Sequence, residues 1–356
     1  MLDERWTRLA EILVNYSTRV RPGERVMINM METETRPLVE AVYREVVRAG
    51  GLPEVYYSSD FLKRTLMLEG SDEQVDWVPE IESYGMDWAD CYIGLRGSRN
   101  PYEFSEISSQ RLAAHRAAMG KVSRKRNEST RWVLVKVPNE NFAQQAGMSL
   151  DETMRFFFDA SLRDWEQERR RYRELAAIFE SAERVRIVGT DTDISFSTAG
   201  RKYVAGDGEF NMPDGEIFTA PVDDSAEGEI RFEVPAVYAN RKIPGIRLRF
   251  ERGVVVEASA DENGEFLNQI LDMDDGARRL GEFGVGLNFG IRRWTYEVLF
   301  DEKIGGTVHL ALGRAYGECG GVNESALHWD IVKDLRANGY VELDGKRVLE
   351  NGQFLV

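Results

Sequence analysis
The feature that most restricts the fold lies near the start of the chain. Residues 26–30 read as a strand, 36–48 as a helix closed by Gly50 and Gly51, and 52–57 as another strand. Strand, helix and strand within about thirty residues make a βαβ crossover, which joins parallel strands with a right-handed connection. Trp6, Leu9, Leu13 and Tyr16 have helical spacing, so 3–18 are predicted as an amphipathic helix, with a turn at Arg21-Pro22-Gly23-Glu24. Further strands are expected over 90–95 and 131–137, with a helix near 106–119 between them. These elements predict a small parallel α/β domain. A dinucleotide or nucleotide site does not follow, because no Gly-x-Gly-x-x-Gly follows a strand and no Gly-x-x-x-x-Gly-Lys-Ser/Thr is present. Gly284-Val285-Gly286 is the nearest pattern, and its third glycine is misplaced.

Ser149-Leu150-Asp151-Glu152 is a capping box that is expected to open a long helix running to residue 181, with a solvated charged face over 166–174. From Ala182 the texture changes. Short strands are expected over 185–189, 193–197, 230–234, 246–250 and 254–259. The chain end, 340–356, should close as hairpins at Asp344-Gly345 and Asn351-Gly352. The fold class is therefore an N-terminal parallel-sheet α/β domain, 1–181, ending in a linking helix, followed by a β-rich α+β domain, 182–356.

A net charge of −15 argues against nucleic acid and anionic membranes as partners. The one basic run, 121–126, reads as a solvated helix end. No run approaches about eighteen apolar residues, so no transmembrane helix is expected. The N-terminus is acidic from Asp3 and lacks a basic-then-apolar leader pattern, which predicts a cytoplasmic protein. Cys91 and Cys319 have no metal-type spacing, and Cys319, although within the stretch richest in candidate residues, reads as a packing residue.

Chemistry concentrates between Asp301 and Leu335, which hold two of the three histidines. Residues 307–312 alternate, so His309 is expected on the polar face of a strand backed by Val308, Leu310 and Leu312. Residues 326–330 read as extended and 331–336 as a short helix. In an extended backbone residues two apart share a side, so His328 and Asp330 can close on one ion. Imidazole with carboxylate suits zinc, cobalt, manganese or iron. Plainer readings stand beside this one: a strand histidine is ordinarily just hydrogen-bonded, and Asp330 is well placed to cap a helix from Ile331. Two further carboxylates stand out. Glu216 follows the Pro213-Asp214-Gly215 turn, and Glu282 follows Gly281 in a stretch read as a helix from Asp275.

The ordered set Asn211 to Glu216, Asp275 to Glu282, Asp301 to His309, Ala311 to Tyr316, Asn323-Glu324-Ser325 and His328-Trp329-Asp330 resembles the aminopeptidase T family. These are thermophilic-type two-metal aminopeptidases that include staphylococcal and pneumococcal members. The resemblance runs along most of the chain; Val20-Arg21-Pro22-Gly23-Glu24 and Thr190-Asp191-Thr192-Asp193 are weaker parts of it. It implies a C-terminal catalytic domain, a homodimer, short peptide substrates and two divalent ions, zinc or cobalt first, with manganese, magnesium or iron as alternatives. By matched position it implies Glu216, Glu282, His309, His328 and Asp330 as metal ligands, Glu282 also as general base, and Tyr316 as a phenol near the metals. Three carboxylates and two imidazoles suit two ions roughly 3.5–4 Å apart. The stretch between Tyr316 and His328 is short and Gly-rich, which bears on the substrate entrance. The rival readings are a mononuclear Fe(II) ring-cleaving dioxygenase using His309, His328 and Asp330, a non-peptide amidohydrolase, and a non-catalytic binding protein.

Overall fold
The crossover near the start folds as its pattern requires. In a computed structural model that describes residues 3–239 and 241–356, strand Leu52–Ser58 pairs in parallel with Arg25–Met31. Arg25–Met31 pairs on its other side with Cys91–Arg96, then follow Arg131–Lys136 and the two-residue strand Asn211–Met212, all parallel. Val26, Ile28, Ile93, Val133 and Val135 are fully buried. Helix Arg36–Arg48 starts with Pro37 in its first turn and buries Leu38, Val39, Ala41, Val42 and Val46. The helix expected over 106–119 runs instead from Ser109 to Ser129, so the basic run is part of it and not its end.

Contacts divide the chain into two units, 1–163 with 208–213, and 164–207 with 214–356. The long helix expected to 181 is two helices, Leu150–Ser161 and Trp165–Glu180. Helical geometry fails at Leu162 (ψ 63°), and Asp164 restarts it by accepting from the backbone N–H of Gln167. The second helix packs within the second unit, where Phe179 meets Tyr203 and Phe283 with ring centroids 5.6 and 6.4 Å away.

The second unit contains an eight-stranded antiparallel sheet in the order Val254–Ser259, Arg247–Glu251, Glu227–Arg231, Thr192–Ser197, Arg184–Gly189, Tyr340–Leu343, Lys346–Glu350 and Gln353–Phe354. A five-stranded antiparallel sheet runs His328–Asp334, Thr307–Gly313, Leu280–Gly286, Glu216–Thr219 and Val204–Gly206. Two helical expectations are corrected here. The stretch holding Glu282 is a strand buried at every position, and 331–336 continue the His328 strand as far as Asp334. Gly281 and Gly284 disfavour a helix, and β-branched Ile331 and Val332 suit a pleated, buried surface. Asp330 therefore caps no helix. No described helix is long and apolar enough to cross a membrane.

Candidate metal centre
Register, not sequence proximity, assembles the site. Glu282 and Asp330 both pair with Ala311, one from each side. His309 pairs with Gly284, His328 with Gly313, and Glu216 with Gly286. Paired residues in an antiparallel sheet point to the same face, as do residues two apart. All five side chains therefore rise from one face, and the positions between them are Gly284, Gly286, Ala311 and Gly313. A Cβ on Gly284 would lie 2.0 Å from Cε1 of His309, so the ring lies over bare backbone there.

Glu282 reaches this face through a bulge. Leu280 pairs with Leu312 but Glu282 with Ala311, so Gly281 is one residue too many on its strand. In unbroken register Glu282 would oppose Leu310 and point to the other side. A Cβ on Gly281 would stand 2.4 Å from the carbonyl oxygens of Gly313 and Arg314, which makes glycine the residue for this position.

The side chains converge closely. Nε2 of His309 lies 3.2 Å from Glu282 Oε1 and 3.5 Å from Glu216 Oε2. Nε2 of His328 lies 3.3 Å from Glu282 Oε2, 3.6 Å from Asp330 Oδ2 and 3.3 Å from the Tyr316 hydroxyl. Each imidazole gives its other nitrogen to a backbone carbonyl: His309 Nδ1 to Glu302 at 3.2 Å and His328 Nδ1 to Arg314 at 2.8 Å. A carbonyl only accepts, so Nδ1 carries the proton and Nε2 is the nitrogen turned to the site, a common orientation for metal-binding histidine. His309 lies on the face opposite Val308, Leu310 and Leu312, as its alternation predicts, and that face is buried as well.

Two side chains here had no role in the sequence reading. Glu302 is buried and brings a carboxylate within reach of His309 and Asp330. Lys303, fully buried, pairs with Glu302 and lies 3.2 Å from Glu216 Oε1. Both sit on a turn without periodicity; the charged run Asp301-Glu302-Lys303 before two glycines was the one available signal. Burial opposes a charged Lys303, but Glu216, Glu302 and Asp214 outweigh it and hold the ammonium well above its ordinary range. Asp301 is structural: its carboxylate accepts from Thr295 N and Oγ1 and from Tyr296 N, each at 2.8 Å.

The electrostatics are those of a site with surplus negative charge. Burial raises Glu216 to about 8 and Asp330 to about 7. For His309 burial works against the charged ring, yet the bond to Glu282 and nearby carboxylates push it up to about 10. His328 goes up to about 9 by the same balance with Glu282 and Asp330. Burial would raise Glu282, but its bonds to both rings bring it down to about 2. Glu216 Oε2 and Asp330 Oδ1 are buried without a hydrogen-bond partner. Leaving such atoms unmet is costly, and a divalent cation would meet both. The donors form three overlapping groups: Glu216, Glu282 and His309; Glu282, His328 and Asp330; and Glu302, His309 and Asp330. The residues fit a metal centre.

Comparison with known proteins agrees. The family described as thermophilic metalloprotease (M29) matches residues 2–354. Aminopeptidase PepS of Streptococcus thermophilus is 24% identical, over 99% of this chain and 98% of its own length. Aminopeptidase T of Thermus thermophilus is 26% identical, over 98% of each. The solved structure of wild-type AmpT from Thermus thermophilus matches all of both chains with TM-score 0.87 at 25% identity. A 2,5-dihydroxypyridine dioxygenase from Pseudomonas putida shares the fold, with TM-score 0.65 at 16% identity over 99% of this chain and 97% of that one.

Proposed function
This chain belongs to the M29 family of thermophilic metalloproteases, and from that premise we propose that it is a metallo-aminopeptidase releasing the N-terminal residue of short peptides, with two divalent ions held by Glu216, Glu282, His309, His328 and Asp330. The observation that carries the reading is the sharing of Glu282. One of its oxygens faces His309 and the other His328, so it belongs to two donor groups at once. A single ion would leave one of those groups idle. Zinc or cobalt as the pair, and a homodimer in solution, belong to the same proposal and rest on the family resemblance.

Bound divalent ions supply Lewis acidity and bring the pKa of water towards neutrality. The chain's own residues do the rest. The family resemblance gives Glu282 a second role as general base, which would require one of its carboxylate oxygens to be free of metal when it takes the proton of the attacking water. Tyr316 lies beside His328, and burial, then the charges of Glu282 and Asp330, hold its phenol far above its ordinary range. It therefore stays a donor and can hydrogen-bond the oxyanion of a tetrahedral intermediate. Tyr316→Phe should lower kcat by about ten- to a hundredfold with little change in KM. The substrate's free α-amine, in its neutral form, would be a further ligand for a bound ion, which would confine cleavage to the chain end.

The test is metal analysis together with hydrolysis of aminoacyl anilides after chelation and re-addition of single metals. About two ions per chain with metal-restored amine release is the expected result. One iron per chain, no amide cleavage and oxygen uptake would move the protein to the mononuclear dioxygenase reading.

A further inference from the structure
The first unit holds a cavity of about 400 Å³ that the proposed activity does not use. It lies over one face of the parallel sheet, at the C-terminal halves of three strands, where Asn29, Ser58 and Arg96 reach it. Strand order changes direction there: the chain goes from Arg25–Met31 outward to Leu52–Ser58, then returns to the opposite side as Cys91–Arg96. In open α/β sheets this reversal leaves a crevice at the carboxyl ends of the strands, and ligands bind in it. Helices Asp60–Glu69, Glu80–Trp88 and Ser109–Ser129 supply the other walls. The volume is in the range of small-molecule pockets.

The lining is an apolar body with opposite charges set into it. Met86, Tyr92 and Met119 form the apolar part. Glu82 accepts a hydrogen bond from the Tyr56 hydroxyl at 3.4 Å, and burial raises its pKa against the opposing pull of Lys63 and Arg126. Arg126 lies over the rings of Trp132 and Tyr92, 4.7 and 5.5 Å from their centroids. Its guanidinium bonds to Asn127 Oδ1, the amide of the next residue, and burial lowers its pKa. Neither Glu82 nor Arg126 is in an ion pair with any described residue. The His115 ring also lines the cavity, and its nitrogens are buried without a well-formed hydrogen bond. Glu82 and Arg126 line one cavity without an ion pair between them, so although each feels the other's charge, and Glu82 that of Lys63 as well, opposite charges stand apart on its walls.

We propose that this cavity binds a free amino acid with an apolar or aromatic side chain, its ammonium group on Glu82, its carboxylate on Arg126 and its side chain among Met86, Met119 and Tyr92. A zwitterion is the ligand class that satisfies both charges at once, and Arg–carboxylate and carboxylate–ammonium bonds are the stronger kind. An apolar side chain uses the remaining wall. The site is built from the first unit alone, so it does not depend on the metal centre.

Equilibrium dialysis of labelled L-phenylalanine against the full chain, with and without a chelator, tests this. Saturable binding that survives chelation is expected, weakened about tenfold or more by Glu82→Gln and by Arg126→Gln. Phenylalanine methyl ester should bind weakly and be indifferent to Arg126→Gln, and N-acetylphenylalanine should be indifferent to Glu82→Gln. Arg126→Lys, which keeps the charge, should retain binding to within a few-fold and guards against a folding defect in the glutamine variant. Absence of saturable binding at millimolar ligand, loss of all binding on chelation, or equal binding by wild type and both glutamine variants would each overturn the proposal.

Discussion
The two sheets handle burial in opposite ways. In the parallel sheet of the first unit, Val26, Ile28, Ile93, Val133 and Val135 fill strand interiors, and the buried polar Asn29 among them donates a hydrogen bond to Ser58 Oγ rather than facing another charge. In the five-stranded sheet of the second unit the strands Leu280–Gly286 and Thr307–Gly313 are equally buried, yet donors stand in their middles. The cost of burying those charges is offset by the two imidazoles and by Lys303, and the interleaved glycines and alanine leave room for the rings. The first sheet gains stability from its buried valines and isoleucines. The second gives up apolar contact at five positions and holds a poised cluster of charge. Sheets of similar depth can therefore carry different duties, depending on what occupies the strand middles.

The largest expected effect separates these duties outright. Glu282→Gln should keep the fold and lose turnover by about a hundred- to ten-thousandfold, whereas Ile93→Ala should lose about 2–5 kcal/mol of stability with kcat per folded molecule unchanged. Near-normal turnover in Glu282→Gln, measured with metal content, would break the contrast. Next comes Gly284→Ala, whose new methyl meets the His309 ring. It should lose bound metal per chain in proportion to lost activity, while an alanine at exposed Gly120, where a Cβ meets nothing within 4 Å, should change neither.

Lys303→Met sharpens the point about compensation. It leaves Glu216 and Glu302 without their shared cation and should destabilise the metal-free protein by about 3 kcal/mol, less when metal is present. An equal loss in unfolding free energy with and without metal would mean that Lys303 matters only as packing. The smallest effect is a pH trend. In the metal-free chain the raised values of His309 and His328, about 10 and 9, mean that their protonated forms stabilise the fold. That contribution is full below about 6.5 and is lost as pH rises through 9 and 10. Metal needs the neutral rings, so protons compete with it. The gain in Tm on adding zinc should therefore grow from pH 6 to pH 9; a gain that is flat, or largest at pH 6, would break this account.

Much of the framework was legible in the chain. The βαβ crossover, the alternating strand around His309 and the terminal hairpins follow from local patterns, and the structure has each where the pattern put it. Helix and strand were confused at Glu282 and at Ile331–Asp334, because buried strands carry no polar alternation and a glycine-rich apolar stretch has no diagnostic period. The helix break at Leu162 was missed for a related reason: a single residue leaving helical geometry barely disturbs the composition around it. His328 and Asp330 read as candidate ligands of one ion and Glu216 and Glu282 stand out as carboxylates, the family resemblance joins them with His309 into one ligand set, and their order along the chain is a property of the sequence. Their common face is not.

What the sequence by itself determined is the set of elements, their order and the chemical types available, since propensity, spacing and charge act between neighbours. Tertiary structure alone decided which side each donor faces. The bulge at Gly281 turns Glu282 onto the face of His309, pairing through Ala311 brings Glu282 beside Asp330, and a turn delivers Glu302 and Lys303 beneath them. The physical reason is that side-chain direction in a sheet has a period of two, so one inserted residue reverses it. That insertion is measured only against a partner strand some thirty residues away, a comparison the chain makes by folding.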